Sequence, residues 1–202
     1  MVADGIYYAL GLIAGGLIAA FLLGPVWGAP FFLLAAFCLY FFRDPEREIP
    51  MGDVAVSPAD GKVVAIRRES ADQTRISIFL NVFDVHVNRT PIAGTITNIT
   101  YRRGKFLVAS KEEASAENEM NTFMVEGEGG TKVIFSQIAG LIARRIVCWK
   151  KVGDSVQKGE RVGLIKFGSR MDVLLGPEWQ IAVAEGQRVS AGSSTIARRS
   201  GH

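Results

Sequence analysis

Val152-Gly-Asp-Ser-Val-Gln-Lys-Gly-Glu-Arg-Val162 recurs in outline as Ala184-Glu-Gly-Gln-Arg-Val-Ser-Ala-Gly-Ser-Ser-Thr-Ile196. Both stretches share the form Gly-x-x-Val-x-x-Gly. Glycine reaches backbone conformations closed to other residues, so the first glycine opens a turn and the second closes the bend. The valine between them packs inward.

Paired hairpins of this form build the flattened barrels of lipoyl- and biotinyl-type domains. The chain before the repeat has the same texture. Val54 to Ile66 reads as a strand, a turn at Pro58-Ala-Asp-Gly61 and another strand. Arg75-Ile-Ser-Ile-Phe-Leu80 alternates, and Phe83 to Pro91 and Thr95 to Tyr101 follow as strands. Asn121 to Glu126 and Lys132 to Gln137 form a hairpin around Gly127-Glu-Gly-Gly130, and Leu141 to Trp149 is one more strand. Arg102 to Asn118 lacks an apolar stripe and reads as an exposed loop with a short helix. With 22 glycines, the body is expected to be mainly β, a sandwich or barrel with lipoyl-like hairpin repeats.

The first 42 residues are different, carrying a single charged side chain, Asp4. Ile6–Leu23 and Val26–Phe42 are apolar runs of about 18 and 17 residues, each near the lower limit for crossing a bilayer. No basic segment precedes the first run and a second follows at once, which argues against a cleaved signal peptide. A membrane helical hairpin with Gly24-Pro25 at its tip is expected, with a single tilted or re-entrant element as the alternative. Residues 1–43 thus form an anchor and 44–202 a β-rich domain. Arg43 and Arg47 place that domain on the cytoplasmic face of the cell membrane by the positive-inside rule.

The sequence pI near 9.0 suits an anionic partner. The pairs Arg102-Arg103, Arg144-Arg145 and Lys150-Lys151 could form a basic face; a merely solvated face is the plain alternative, and beside a membrane anchor an acidic-phospholipid surface stands level with it. Aromatic interleaving and nucleic-acid motifs are lacking, so nucleic acid is set aside. Cys38 and Cys148 read as core residues rather than a disulfide framework. The histidines are His86 and the terminal His202, which leaves no zinc set. His86 alternates with Val85 and Val87 and shares a face with Asp84. Asp60 sits at an Asp-Gly turn.

Between the two repeats lies Gly163-Leu-Ile-Lys-Phe-Gly-Ser-Arg-Met-Asp-Val173, two apolar runs meeting at Gly168-Ser169. A serine at such a junction can turn its Oγ on the preceding glycine carbonyl, if glycine's freedom lets that peptide twist. The ester so formed can eliminate and leave a pyruvoyl group. The plain alternative is a Gly-Ser turn between strands.

Four stretches in order resemble the phosphatidylserine decarboxylase proenzyme family, in its short bacterial and archaeal branch. They are Ser57-Pro-Ala-Asp-Gly-Lys-Val63, Asn81-Val-Phe-Asp-Val-His-Val-Asn-Arg-Thr-Pro91, Glu117-Asn-Glu-Met-Asn121 and Ile165-Lys-Phe-Gly-Ser-Arg170. The resemblance implies self-cleavage between Gly168 and Ser169, giving a β chain 1–168 and an α chain 169–202 that begins with a covalent pyruvoyl derived from Ser169. It also implies decarboxylation of phosphatidylserine to phosphatidylethanolamine through a Schiff base on that ketone, with no dissociable cofactor or metal. The aspartate of the longer branch's charge relay carries over onto Asp60. Longer members have two histidines three residues apart. Here His86 matches the first and Arg89 stands at the second, so His86 is open to maturation, decarboxylation or both. An imidazole suits a base near neutral pH, and a carboxylate can orient it.

Two other readings compete. A membrane-anchored, non-catalytic carrier or adaptor explains the repeats and the anchor but not Asp60 and His86 within motifs, and no lysine stands at a hairpin tip. A decarboxylase of another serine phospholipid fits the same residues. A homo-oligomer is left open by the sequence.

Overall fold

Each glycine of the repeat has positive φ: Gly153 at 93°, Gly159 at 76°, Gly186 at 87° and Gly192 at 77°. A side chain at any of these is strained, so the repeat is a pair of glycine-dependent turns. Val156 and Val189 point into the core. The computed structural model describes residues 1–105, 117–140, 145–166 and 169–200. The short helix expected between Arg102 and Asn118, the first half of the Leu141–Trp149 strand with Arg144, and Gly168 and His202 lie outside the described residues.

The chain forms two units, Met1–Glu46 and Arg47–His202. In the first, α1 (Ala3–Leu23) and α2 (Pro25–Phe41) are joined at Gly24, with Pro25 opening the second helix. The expected helical hairpin is present. Small residues line its seam, and a Cβ on Gly28 would lie 2.8 Å from the Gly16 carbonyl oxygen, so the helices touch backbone to backbone. Val2 N–H donates to the Phe42 carbonyl (3.0 Å) and closes the open end. Leu17, Phe21, Val26 and Leu33 are exposed along the outer surface.

The second unit is mainly β: strand makes up 42% of the chain and helix 23%. Its strands are β1 (Val54–Val56), β2 (Gly61–Ser70), β3 (Gln73–Leu80), β4 (Val87–Arg89), β5 (Gly94–Arg102), β6 (Met120–Glu126), β7 (Lys132–Ala139), β8 (Ile146–Cys148), β9 (Ser155–Val156), β10 (Arg161–Ile165), β11 (Ser169–Leu175), β12 (Trp179–Ile181), β13 (Arg188–Val189) and β14 (Thr195–Arg199). Eight of them make one curled sheet in the order β13-β2-β3-β11-β7-β6-β5-β9, flanked by three-stranded sheets β1-β14-β12 and β4-β10-β8.

Alternation supplies the core. Ile76, Ile78 and Leu80 on β3, Phe123 and Val125 on β6, Val133 and Phe135 on β7, and Met171 and Val173 on β11 are buried together. Phe123 and Phe135 stack with ring centroids 4.9 Å apart.

The two repeats do not close on themselves. β9 pairs with β5 while β10 pairs with β4 and β8, and β13 pairs with β2 while β14 pairs with β1 and β12. Each glycine turn therefore passes the chain from one sheet to another instead of folding a hairpin back on itself. The strand expected over Phe83–Pro91 shortens to β4, because Asn81 to Asp84 is taken up in a side-chain-locked turn. Cys148 is exposed rather than in the core, and both cysteines are free.

Candidate active site

Strand β11 sits mid-sheet, with Ser169 opposite Leu80 of β3 on one side and Ala139 of β7 on the other. Successive side chains take opposite faces, so Ser169, Met171 and Val173 look into the core. Ser169 is fully buried, and its Oγ has no hydrogen-bond partner among the described residues. Buried hydroxyls are nearly always paired, so this one is held in an unusual state.

The opposite face of the same strand carries a charge network. Arg170 donates from Nε to Asp172 Oδ1 (2.6 Å) and from a terminal nitrogen to Ser77 Oγ (2.7 Å). Asp172 Oδ2 lies 3.3 Å from Arg75, whose Nε donates to Glu69 (2.6 Å). Arg170 is only 1% exposed. The sequence reading gave these residues no role. Their signal was a polar residue at every second position on two adjacent strands, Arg75-Ile-Ser77 and Arg170-Met-Asp172.

His86 lies just before β4 and is buried. Its Nδ1–H donates to the Asp84 carbonyl at 2.9 Å. A carbonyl only accepts, so Nδ1 carries the proton and Nε2 is the basic nitrogen of the neutral ring. The turn holding it is tight: Asp84 takes the Asn81 N–H (2.9 Å) and pairs with Arg188, and Asn81 takes the Phe83 N–H (2.8 Å). The His86 carbonyl in turn accepts the Ile165 N–H (3.3 Å), so His86 is stitched to the strand that leads into Ser169.

Asp60 is placed differently. Arg47 and the Ala191 N–H (2.8 Å) are its hydrogen-bond partners among the described residues. Asp60 is thus not hydrogen-bonded to His86 or to Ser169. Its turn is nevertheless attached to β4, because Arg89 N–H donates to the Pro58 carbonyl (2.9 Å). Arg89 itself donates to the carbonyl of Gly159 (3.0 Å), and a Cβ on Gly192 would lie 3.1 Å from its Cδ. The closing glycines of both repeats therefore meet at Arg89.

The basic face is partly consumed. Arg47 is turned to Asp60, Lys150 pairs with Glu160, and Arg102 donates to the Asn118 carbonyl (3.4 Å). A surface cavity of about 130 Å³, lined by Val54, Ile92, Lys158, Trp179 and Arg199 among others, contains none of Asp60, His86 and Ser169. Desolvation holds the Lys158 amine there below its usual range, against the opposing pull of Asp53.

Residues 34–197 match the model of the phosphatidylserine decarboxylase family. The chain is 67% identical over 199 residues to the phosphatidylserine decarboxylase proenzyme of Solibacter usitatus, covering 98% of this chain and 97% of that protein. It is 44% identical over 201 residues to the proenzyme of the same name from Syntrophus aciditrophicus, covering 96% and 94%. The proenzyme from Magnetococcus marinus is 48% identical over 176 residues, covering 84% and 81%. With motifs in order, a mainly β body following an apolar helix pair in the sequence, and relatives matched over most of their length, the chain belongs to the phosphatidylserine decarboxylase family.

Proposed function

We propose that this chain is a self-processing decarboxylase that converts phosphatidylserine to phosphatidylethanolamine after cutting itself between Gly168 and Ser169. The observation that carries the reading is the buried Ser169 Oγ without a partner on a central strand. A serine kept as a serine in a packed core would bond to something, whereas a nucleophile must keep its lone pairs available. Ser169 is therefore a fitting source for a pyruvoyl group. That group, when formed, supplies a ketone for the substrate amine and a sink for the electron pair left as CO2 departs.

The chain's own residues do the rest. Strands β3 and β7 clamp β11 along its length, so residue 169 stays in place after the cut. His86 Nε2 is the base that takes the serine proton during processing and, once protonated, the acid that returns a proton to the substrate carbon. Asp60, held by Arg47, fixes the turn beside β4. The apolar interior excludes water from the carbon that becomes negatively charged. The helix pair, residues 1–43, anchors the catalytic body 44–202 in the membrane, where the substrate resides. Arg43, stacked 3.8 Å from the Tyr40 ring centroid, marks the headgroup level on the cytoplasmic side.

Intact mass and denaturing electrophoresis of the purified protein test this. Two chains, 1–168 and 169–202, are expected, the second beginning with a keto group, and they should release CO2 from phosphatidylserine in vesicles. A single chain of 21.9 kDa that is active, or two chains with an amino terminus at 169 and full activity, overturns it.

A further inference from the structure

Three buried amides form a line that crosses three strands. Asn121 on β6 donates from Nδ2 to Gln137 Oε1 on β7 (3.1 Å), and Gln137 donates from Nε2 to Asn88 Oδ1 on β4 (2.9 Å). Asn88 and Gln137 are wholly buried and Asn121 nearly so. Each amide has one accepting and one donating end, so the line has a direction. It ends at Asn88 Nδ2, which is buried and has no hydrogen-bond partner among the described residues. The backbone is shaped around this line. Gly163 pairs with Asn88, and a Cβ there would come 3.1 Å from Gln137 Nε2 and collide with the Val147 carbonyl.

The same interior holds the serine. Asn88 is two residues from His86, so on extended backbone the two share a face. Gln137 is opposite Met171 and Ala139 is opposite Ser169, so Gln137 and Ser169 face the core as diagonal neighbours. Such a diagonal spans about 7–8 Å, and Gln137 is the residue to which the Asn88 amide is bonded. Two unpartnered buried groups of opposite capacity, a donor on Asn88 and an oxygen on Ser169, therefore belong to residues that both neighbour Gln137.

We propose that Asn88 is a further catalytic residue of self-processing, its Nδ2 donating to the Ser169 oxygen as negative charge collects there. The proposal rests on Ser169 being the processed serine. Charge collects on that oxygen twice. In the attack, Oγ bonds to the carbonyl carbon of residue 168 as its proton passes to the base. The amide C–N bond then breaks, and the Ser169 nitrogen keeps the pair and gains a proton. In the elimination, Cα loses a proton to the base and the Cβ–Oγ bond breaks. The pair leaves on that oxygen, now part of the carboxylate of residue 168. The enamine left behind takes up water and releases ammonia. A fixed donor in a water-free site helps most where a full charge is expelled, which is the elimination. Gln137 and Asn121 are positioning residues that decide which end of the Asn88 amide is presented.

Gln137→Glu in the full-length chain separates direction from packing. A carboxylate at this position accepts from both Asn121 and Asn88, so each bond in the line is kept while Asn88 turns its oxygen towards Ser169. Processing should slow by about 100-fold or more, with the melting temperature close to that of the parent chain. The ester should accumulate. Hydroxylamine cuts it to a hydroxamate at residue 168 and an α chain beginning with intact serine, both read by mass. Burial raises a carboxyl's pKa, so the slowing should deepen as rising pH ionises the introduced carboxyl. Asn88→Asp, which keeps an acceptor for Gln137 but loses the donor, should behave alike. Processing at the parent rate in both variants, or a loss of rate that only follows a loss of melting temperature, overturns the proposal. If Ser169→Ala stays uncut while Gln137→Glu processes normally, Asn88 alone is refuted. If Ser169→Ala is still cut, the underlying reading fails.

Discussion

Arg47 places one guanidinium nitrogen 2.9 Å from each carboxylate oxygen of Asp60. Both side chains are largely withdrawn from solvent, at 14% and 16% exposure. The aspartate of the most recognisable turn in the body is thus neutralised by a residue from the linker. Among the described residues, Arg47→Ala leaves Asp60 with only the Ala191 N–H. A loss of about 1–3 kcal/mol in urea unfolding is expected, less than for a fully buried pair because water still reaches this one. Processing should slow as well, and Arg47→Lys should restore part of both. Unchanged stability and processing in Arg47→Ala would show that Asp60 needs no counter-ion.

The asymmetry in that pair shows what the sequence made legible. Asp60 stood out because Pro-Ala-Asp-Gly is local, a turn readable from consecutive residues. Arg47 is 13 residues away in a proline-punctuated stretch, where the sequence suggested only a positive charge following the apolar runs, and only the tertiary fold turns it inward. The strands were legible because alternation is also local, and the repeat's glycines marked real turns. What those turns connect was not legible, since pairing across sheets depends on partners far away in sequence. Asn88 and Asn121 lay within recognised motifs, yet their meeting through Gln137 needs three strands in register.

The Arg170–Asp172 pair should behave as a buried ion pair. Removing Arg170 leaves Asp172 with the longer Arg75 contact and Ser77 without its donor, so Arg170→Met alone should cost less than the about 3–5 kcal/mol of a fully stranded buried charge. Arg170→Met combined with Asp172→Leu removes both charges, but frees Arg75 from Asp172. The double variant should therefore recover only part of the loss, and a double-mutant cycle from chemical denaturation measures the coupling. Additive effects would mean that the two side chains do not act together.

His86 is expected to work through Nε2, because the Asp84 carbonyl holds Nδ1 in its protonated form. His86→Ala should abolish decarboxylation, and added imidazole should restore a measurable fraction of the rate if the cavity admits it. His86→Asn, whose amide can replace the Nδ1 donor but not the base, should fold like the parent and stay inactive. Near-parental turnover in either variant would remove His86 from the chemistry.

Glu160 offers a pH test of the turn that supports β4, since its carbonyl accepts the Thr90 N–H (2.8 Å). Burial alone would raise its carboxyl pKa, but the Lys150 ammonium and the Gln157 N–H outweigh this and hold it below the ordinary value of 4.5. A depressed folded pKa gives stability that is present above the unfolded value and is lost as pH falls through the folded one. Glu160→Gln should therefore melt lower than the parent at pH 7, and the gap should close on acidification below that ordinary value. A gap that is constant with pH would assign the effect to lost packing.

The chain contains a second Gly-Ser, and the two sites make opposite predictions. Gly192-Ser193 offers the same dipeptide as Gly168-Ser169. Its structural work is already accounted for. Gly192 has a φ of 77° and closes the second repeat, and its N–H donates to the Ser57 carbonyl (2.8 Å). Ser193 N–H donates to the Ser190 carbonyl (3.2 Å) and Ser194 Oγ accepts the Ser190 N–H (2.9 Å), so the turn is internally satisfied. The equivalent turn of the first repeat has Glu160 after its glycine and works without a serine. Ser169 is the reverse case, a hydroxyl on a central strand with no structural bond to make. Ser193→Ala should process and decarboxylate at the parent rate, while Ser169→Ala should remain a single inactive chain of 21.9 kDa. Should Ser193→Ala block the cut and Ser169→Ala permit it, the chemistry belongs to the repeat, and the unpartnered hydroxyl on β11 is a packing defect.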